Sequence, residues 1–153
     1  MSIENKIKMA VCGPVDAGKS SLIGVLTKGF LDDGRGYARG KVLKHKHELD
    51  SGRTSDITFN PLIYKKENNN IELVDSENKK LHEISNTNLS ELLPEKKVIQ
   101  LIDLAGHEKY LKTTVFGVTG LFPDYGFVVI GANTGITKLT KEHLGILLYL
   151  KIP

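Results

Sequence analysis

The sequence predicts an α/β fold built on a mainly parallel sheet, and three observations lead there. Apolar runs recur as "KIKMAVC" (residues 6–12), "VIQLID" (98–103) and "GFVVIGA" (126–132), short and apolar almost throughout, as strands buried on both faces of a parallel sheet are. Segments with helical spacing follow these runs, so strand and helix alternate. The 153 residues, 40% hydrophobic and 25% charged, amount to one domain, large enough to bury roughly 70% of the surface its unfolded chain exposes.

Each element follows from its own pattern. The first run closes on Gly13, and its Cys12 is expected as a packed small hydrophobe. From Lys19, "KSSLIGVLTKG" sets Leu22, Val25 and Leu26 at helical spacing and offers Gly29 as a C-terminal stop. Residues 30–56, rich in Gly, Asp, Arg and Lys, read as a mobile loop with a short basic helix near "KVLKHKH". "ITFNPLIY" from Ile57 is strand-like, and Pro61, which has no N–H to give a ladder, assigns it to a sheet edge. "KENNN" reads as a turn into "IELVD"; otherwise residues 66–97 are a polar surface insertion with a helical turn at "NLSELL" and no evident chemistry. "HEKYLKTTVFGV" is predicted helical, and the last helix, in "TKEHLGILLYL", starts with Thr140 as N-cap and carries Leu144, Leu147 and Leu148 as one stripe.

Composition narrows the function classes. No apolar run approaches the ~20 residues of a membrane span, and "MSIENKIKMAV" has charges where an export signal is apolar, so a cytoplasmic protein without membrane association is expected. A single cysteine excludes an intramolecular disulfide. Net charge is +3, yet "GRGYARGKVLKHKH" (residues 34–47) is dense in Arg and Lys and has no acid, which suits contact with phosphate or RNA. His45 and His47 lack further ligands at zinc spacing and read as a solvated basic face, while His82 and His143 carry no motif.

"GPVDAGKSS" carries the chemistry. Gly13, Gly18, Lys19 and Ser20 satisfy G-x-x-x-x-G-K-[ST] between an apolar strand and an amphipathic helix, the context the motif requires. Gly13, Pro14, Val15, Asp16, Ala17, Gly18, Lys19, Ser20 and Ser21 are the expected nucleotide-binding loop, whose N–H groups and helix N-terminus converge on an anion. Lys19 neutralises β and γ phosphates, and the Ser20 hydroxyl serves Mg2+, which prefers oxygen ligands. Asp16, an acid in an anion site, either faces solvent or helps hold a monovalent cation beside the phosphates. "DLAGH" adds Asp103 at a strand end, where a carboxylate holds Mg2+, and Gly106 three residues on, whose N–H suits a γ phosphate. His107 follows at the position of a group that orients the attacking water.

With this D-x-x-G element and the G-x-x-D-x-G-K form of its loop, the chain resembles the translational GTPases, the family of elongation factor Tu and elongation factor 1 alpha. "DLAGHEKYLKTTVFG" and "GRGYARGKVLKHKHELDSGRT" resemble more closely the eukaryotic subfamily called GTP-binding proteins one and two. The resemblance runs from Ile7 to Pro153 outside 66–97. It implies a P-loop NTPase G domain with helices on both faces of its sheet, GTP or GDP as ligand, Mg2+ as cofactor and GTPase activity. Residues 30–56 become the switch I region and 103–117 the switch II region, with Thr54 in "SGRTS" joining Ser20 and Asp103 at the metal, or else Thr58. The family restrains its catalytic histidine with an apolar pair; Val15 matches one member and Arg53 replaces the other, so the gating of His107 departs from the pattern. No arginine finger is assigned.

The family reads guanine through an N-K-x-D motif that would come after Pro153, so the resemblance implies a partial G domain lacking its C-terminal strands. Weak base selectivity and slow turnover are expected unless a second chain completes the site or a partner activates it. Ribosome, tRNA or other RNA are the implied partners. Two other readings stay open: a non-catalytic decoy or interaction module that keeps the switch surface for a ribosomal or RNA partner, and an ATPase or kinase sharing only the phosphate loop.

Overall fold

Side chains alternate along β1 (Lys6–Cys12), so Ala10 and Cys12 enter one core and Val11 the other. Its neighbour β5 (Lys96–Asp103) does the same with Ile102 and Leu101. Helix α1 (Lys19–Lys28) covers the Val11–Leu101 side through Ile23. Helices α4 (Leu111–Leu121) and α5 (Lys138–Tyr149) cover the other through Val118 and Leu147. Helices therefore pack on both faces, as expected. The computed structural model describes residues 6–43, 45–51, 54–67, 70–75, 79–85 and 96–153.

The remaining elements are α2 (Tyr37–Gly40), α3 (Lys46–Ser51), β2 (Thr58–Glu67), β3 (Asn70–Val74), β4 (Lys80–Ser85), a 3-10 turn at Glu108–Tyr110 that leads into α4, and β6 (Tyr125–Val128). The sheet runs β4-β3-β2-β5-β1-β6. The α/β class holds, but the sheet is mixed: β5, β1 and β6 are parallel, whereas β2, β3 and β4 join antiparallel beyond β5.

Several sequence expectations are corrected here. Strand β2 is internal, not an edge. Pro61 is accommodated because β3 pairs with β2 only from Ile63 to Glu67, leaving one flank of β2 open at Pro61 where a missing N–H breaks no ladder. Within 66–97, two stretches enter the sheet as β3 and β4, and the His82 ring meets the Val25 carbonyl of α1 at 3.1 Å. "NLSELL" lies outside the described residues. Where one basic helix was expected in 30–56, two short helices occur, α2 and α3. The buried stripe of α1 is Ile23 and Thr27, with Leu22, Val25 and Leu26 half-buried beside it; Gly29 does end the helix, in the left-handed conformation. Helix α5 is capped by Thr137, not Thr140. The two form a reciprocal capping box, each hydroxyl oxygen accepting from the other's backbone N–H. Of its expected stripe Leu147 is 3% exposed, whereas Leu148 is 66% exposed and Leu144 also faces outward. Finally, β6 is a half-exposed edge strand with Phe127 at 43%, not one buried on both faces, and Gly126 N donates to the Pro153 carbonyl at 2.7 Å.

Candidate functional site

The phosphate loop links β1 to α1. Its turn is closed by Ala17 N donating to the Pro14 carbonyl at 3.4 Å, and Asp16 and Gly18 take left-handed conformations within it, φ 60° and 93°. Gly18 is the N-cap of α1, so Lys19, Ser20 and Ser21 form the first turn, where unpaired N–H groups and the helix dipole favour an anion. Lys19 is 6% exposed and its Nζ donates to the Pro14 carbonyl at 2.8 Å. Burial pulls its pKa below the usual lysine value, with Asp103 working in the opposite direction.

Asp103 ends β5 beneath this turn. Ser20 Oγ donates to Asp103 Oδ2 at 2.7 Å, and Thr54 Oγ1 lies 2.9 Å from Ser20 Oγ. The three expected metal ligands are thus together. The alternative, Thr58, lies on β2 in register with Asp103 and receives a hydrogen bond from Asn60 Nδ2 at 3.2 Å. Asp103 is 1% exposed, and burial pushes its carboxyl up to about 6 against the opposing pull of the Ser20 bond and Lys19. Its Oδ1 has no hydrogen-bond partner among the described residues. Two hydroxyls and a carboxylate with one free buried oxygen suit a hard, oxygen-seeking divalent cation.

Gly106 rests on the loop so closely that a Cβ would overlap Lys19 Nζ and come within 2.6 Å of the Gly13 carbonyl, so only glycine fits. Together Val15, Asp16, Gly18, Lys19, Ser20, Ser21, Arg39, Thr54 and Gly106 line a cavity of about 160 Å³. His107 is not among them. Its Nδ1 accepts from Lys109 N at 3.1 Å, its ring lies edge-on to Tyr110, and it lines a separate cavity with His47, Ser51 and Ser55.

Sequence reasoning passed over three residues. His143, 1% exposed on α5, accepts the Gly13 N–H on Nδ1 at 2.8 Å and so props the loop from below. Its only signal is position: Thr140, His143 and Leu147 make the buried stripe of α5. Glu48 on α3 is wholly buried and accepts from Ser55 N at 2.7 Å, Ser55 Oγ at 2.9 Å and His45 N at 3.1 Å, fixing the residue after Thr54. Arg39 is the third. Outside the site, Cys12 is the packed hydrophobe expected, burial pushing its thiol up to about 12. His47 bonds Ser55 Oγ at 2.7 Å and His45 lies 3.6 Å from Asp56.

The family described as "Elongation factor Tu GTP binding domain" matches residues 4–153. The chain belongs to this family. It is thus a GTP-binding domain of the translational GTPase type, as its resemblance implied. The chain is 49% identical over 148 residues to GTP-binding protein 1 of Xenopus laevis, covering 97% of this chain and 22% of that protein. Against GTP-binding protein 2 of Mus musculus it is 47% identical over 148 residues, covering 96% and 23%. The chain therefore spans less than a quarter of the length of these relatives. Among solved structures, bacterial selenocysteine-specific elongation factor EF-Sec superposes with a TM-score of 0.59 at 25% identity, over 95% of this chain and 18% of that one. The S. cerevisiae Ski7 GTPase-like domain bound to GTP does so with 0.53 at 19% identity, over 85% and 28%, a likeness of fold. No helix of this elongation factor Tu-type domain is, among the described residues, long and apolar enough to cross a membrane.

Proposed function

We propose that this chain binds Mg2+ and GTP at the cavity between the phosphate loop, Thr54 and Gly106, and hydrolyses GTP to GDP and phosphate. The observation that carries the reading is the Ser20–Thr54–Asp103 cluster, which sets hydroxyl, hydroxyl and carboxylate side by side with Asp103 Oδ1 unpartnered among the described residues. These three residues would hold the ion, which when bound neutralises charge on the phosphate oxygens. The loop N–H groups and Lys19 grip the polyphosphate, and the Gly106 N–H faces its terminal group. Phosphoryl transfer needs positioning more than a strong base, so His107 has only to orient a water. To do so its ring turns from the cavity it shares with His47 toward Thr54 and Gly106. Asp16 lines the phosphate cavity and would accompany a monovalent cation there. The setting is cytoplasmic, with a ribosomal or RNA partner as activator.

The test is calorimetric titration with GTP, GDP and ATP in the presence of Mg2+, followed by single-turnover hydrolysis. Binding that Lys19→Ala abolishes supports the site, and Lys19→Ala binding as tightly as the parent removes it. His107→Ala should bind normally and lose hydrolysis. A second reading rests on the engagement of His107 Nδ1 by Lys109 N outside the phosphate cavity: the chain holds nucleotide without cleaving it and serves as an interaction module. Equal turnover by parent and His107→Ala under activating conditions would favour that reading.

A further inference from the structure

The bases of residues 34–47 do not act as one patch. Arg35 is exposed and does not line the cavity, and Lys41 Nζ sits 5.0 Å over the Tyr37 ring. Among the described residues, Arg39 alone of them lines the phosphate cavity, beside Lys19, Ser20, Ser21 and Thr54.

Its platform is firm. Ala38, the residue before it, is wholly buried and donates its N–H to Asp32 Oδ1 at 2.7 Å. The Ala38 carbonyl presses on Gly24 of α1 so closely that a side chain at Gly24 would overlap it, which fixes α2 against the helix that the phosphate loop opens. Asp33 Oδ1 accepts from Arg35 N at 2.8 Å and Tyr37 N at 3.1 Å, and the Phe30 and Tyr37 rings lie 5.0 Å apart. The Arg39 guanidinium lies across Gly36 (φ 95°), where any Cβ would overlap Nε. A half-buried guanidinium is thereby aimed along α2 without a carboxylate paired to it among the described residues. Lys19 converges on the same cavity. Among the described residues, Asp16 is the one carboxylate lining this cavity with the two cations, and a planar five-donor guanidinium matches phosphate oxygens two at a time.

We propose that Arg39 is a phosphate-binding residue, a second cation supplied in cis by the segment between α1 and β2 to the polyphosphate of the bound nucleotide. It deepens the GTP-binding reading above and rests on it. Through Ala38 and Gly24, nucleotide contact at Arg39 also couples α2 to the phosphate loop.

The experiment titrates the 153-residue chain with Mg2+ and a non-hydrolysable GTP analogue, then with inorganic triphosphate, across the parent, Lys19→Ala, Arg39→Ala, Arg39→Lys and Arg35→Ala. Arg39→Ala should weaken both ligands by about tenfold to a hundredfold. Arg39→Lys, which keeps charge and stem, should recover only part of that, while Arg35→Ala, which removes the same charge nearby, should bind like the parent. Limited proteolysis at residues 34–47 gives a second readout: ligand should protect this segment in the parent and fail to do so in Arg39→Lys, a variant that retains the packing of the stem. If the parent binds and Lys19→Ala does not, yet Arg39→Ala binds within twofold of Arg35→Ala, the GTP-binding reading stands and Arg39 loses its role. If the parent binds neither ligand, both fall together.

Discussion

His143 works only as a neutral ring, because Nδ1 must be bare to accept the Gly13 N–H. Burial, and then the nearby Lys19 charge, pull its pKa from 6.5 down to about 4. The unfolded chain therefore takes up a proton that the folded chain refuses between those two values, and stability falls as pH drops from about 6.5 to about 4 and levels off below. The loss amounts to as much as about 3 kcal/mol, at roughly 1.4 kcal/mol per pKa unit. Asp103, its carboxyl pushed up to about 6, contributes the opposite slope over part of this range, so the test is the difference between parent and His143→Gln, which keeps an acceptor for Gly13 and does not titrate. Urea midpoints should show the parent losing stability relative to the variant as pH falls from 7.5 to 4. A lone histidine in a helical segment carries no motif, so the sequence could not mark it. Only the three-dimensional approach of α5 to the loop does that. The loop, Asp103 and Gly106 were legible because phosphate and metal chemistry ties residue type to spacing, and Thr54 because of its family likeness.

At the scale of elements, β1 and β5 were legible from apolar runs that local context leaves no other use for. The strand β4 was not, and β3 only as the segment a turn leads into, since "NIELV" and "KLHEIS" are short and broken by polar residues, and what makes them strands is pairing with β2 and with each other. The last helix shows the same division. Its apolar residues were visible, but which of them face inward depends on where the sheet lies. Leu147 packs with Ala10, Cys12 and Ile102, so Leu147→Ala is expected to cost about 2–5 kcal/mol, and Leu148→Ala no more than about 0.5. Paired urea denaturation curves check the contrast. At the N-terminus, Thr137→Ala removes the hydroxyl that accepts from Thr140 N, leaves the Thr137 N–H bonded to Thr140 Oγ1, and should lower stability by about 1 kcal/mol, whereas the sequence expectation placed the N-cap at Thr140. Hydrogen exchange at the first turn of α5 would locate the loss.

For the whole molecule, the described groups that line the cavity, Lys19, Ser20, Arg39 and Thr54 among them, are the cations and hydroxyls that phosphate and a divalent ion require. The 153-residue polypeptide is accordingly expected to bind GTP and ATP within about tenfold of each other, and to hydrolyse GTP unaided at the ~10⁻⁴ to 10⁻³ per second of unstimulated GTPases. Competition binding and single-turnover assays measure both, and a GTP preference of a thousandfold would mean that a segment of this chain reads guanine. The register of β2 against β5 bears on how such a site opens and closes. Thr58 is held opposite Asp103 in the sheet, and Thr54 lies four residues before it. Four residues of extended chain reach at most roughly 14 Å. However far Thr54 moves from Ser20, it therefore stays on a short leash anchored opposite Asp103 itself, at an effective concentration on the order of millimolar. Its return needs no search by the rest of the segment, so the threonine can detach and re-engage as a local event while the sheet beneath it stays still.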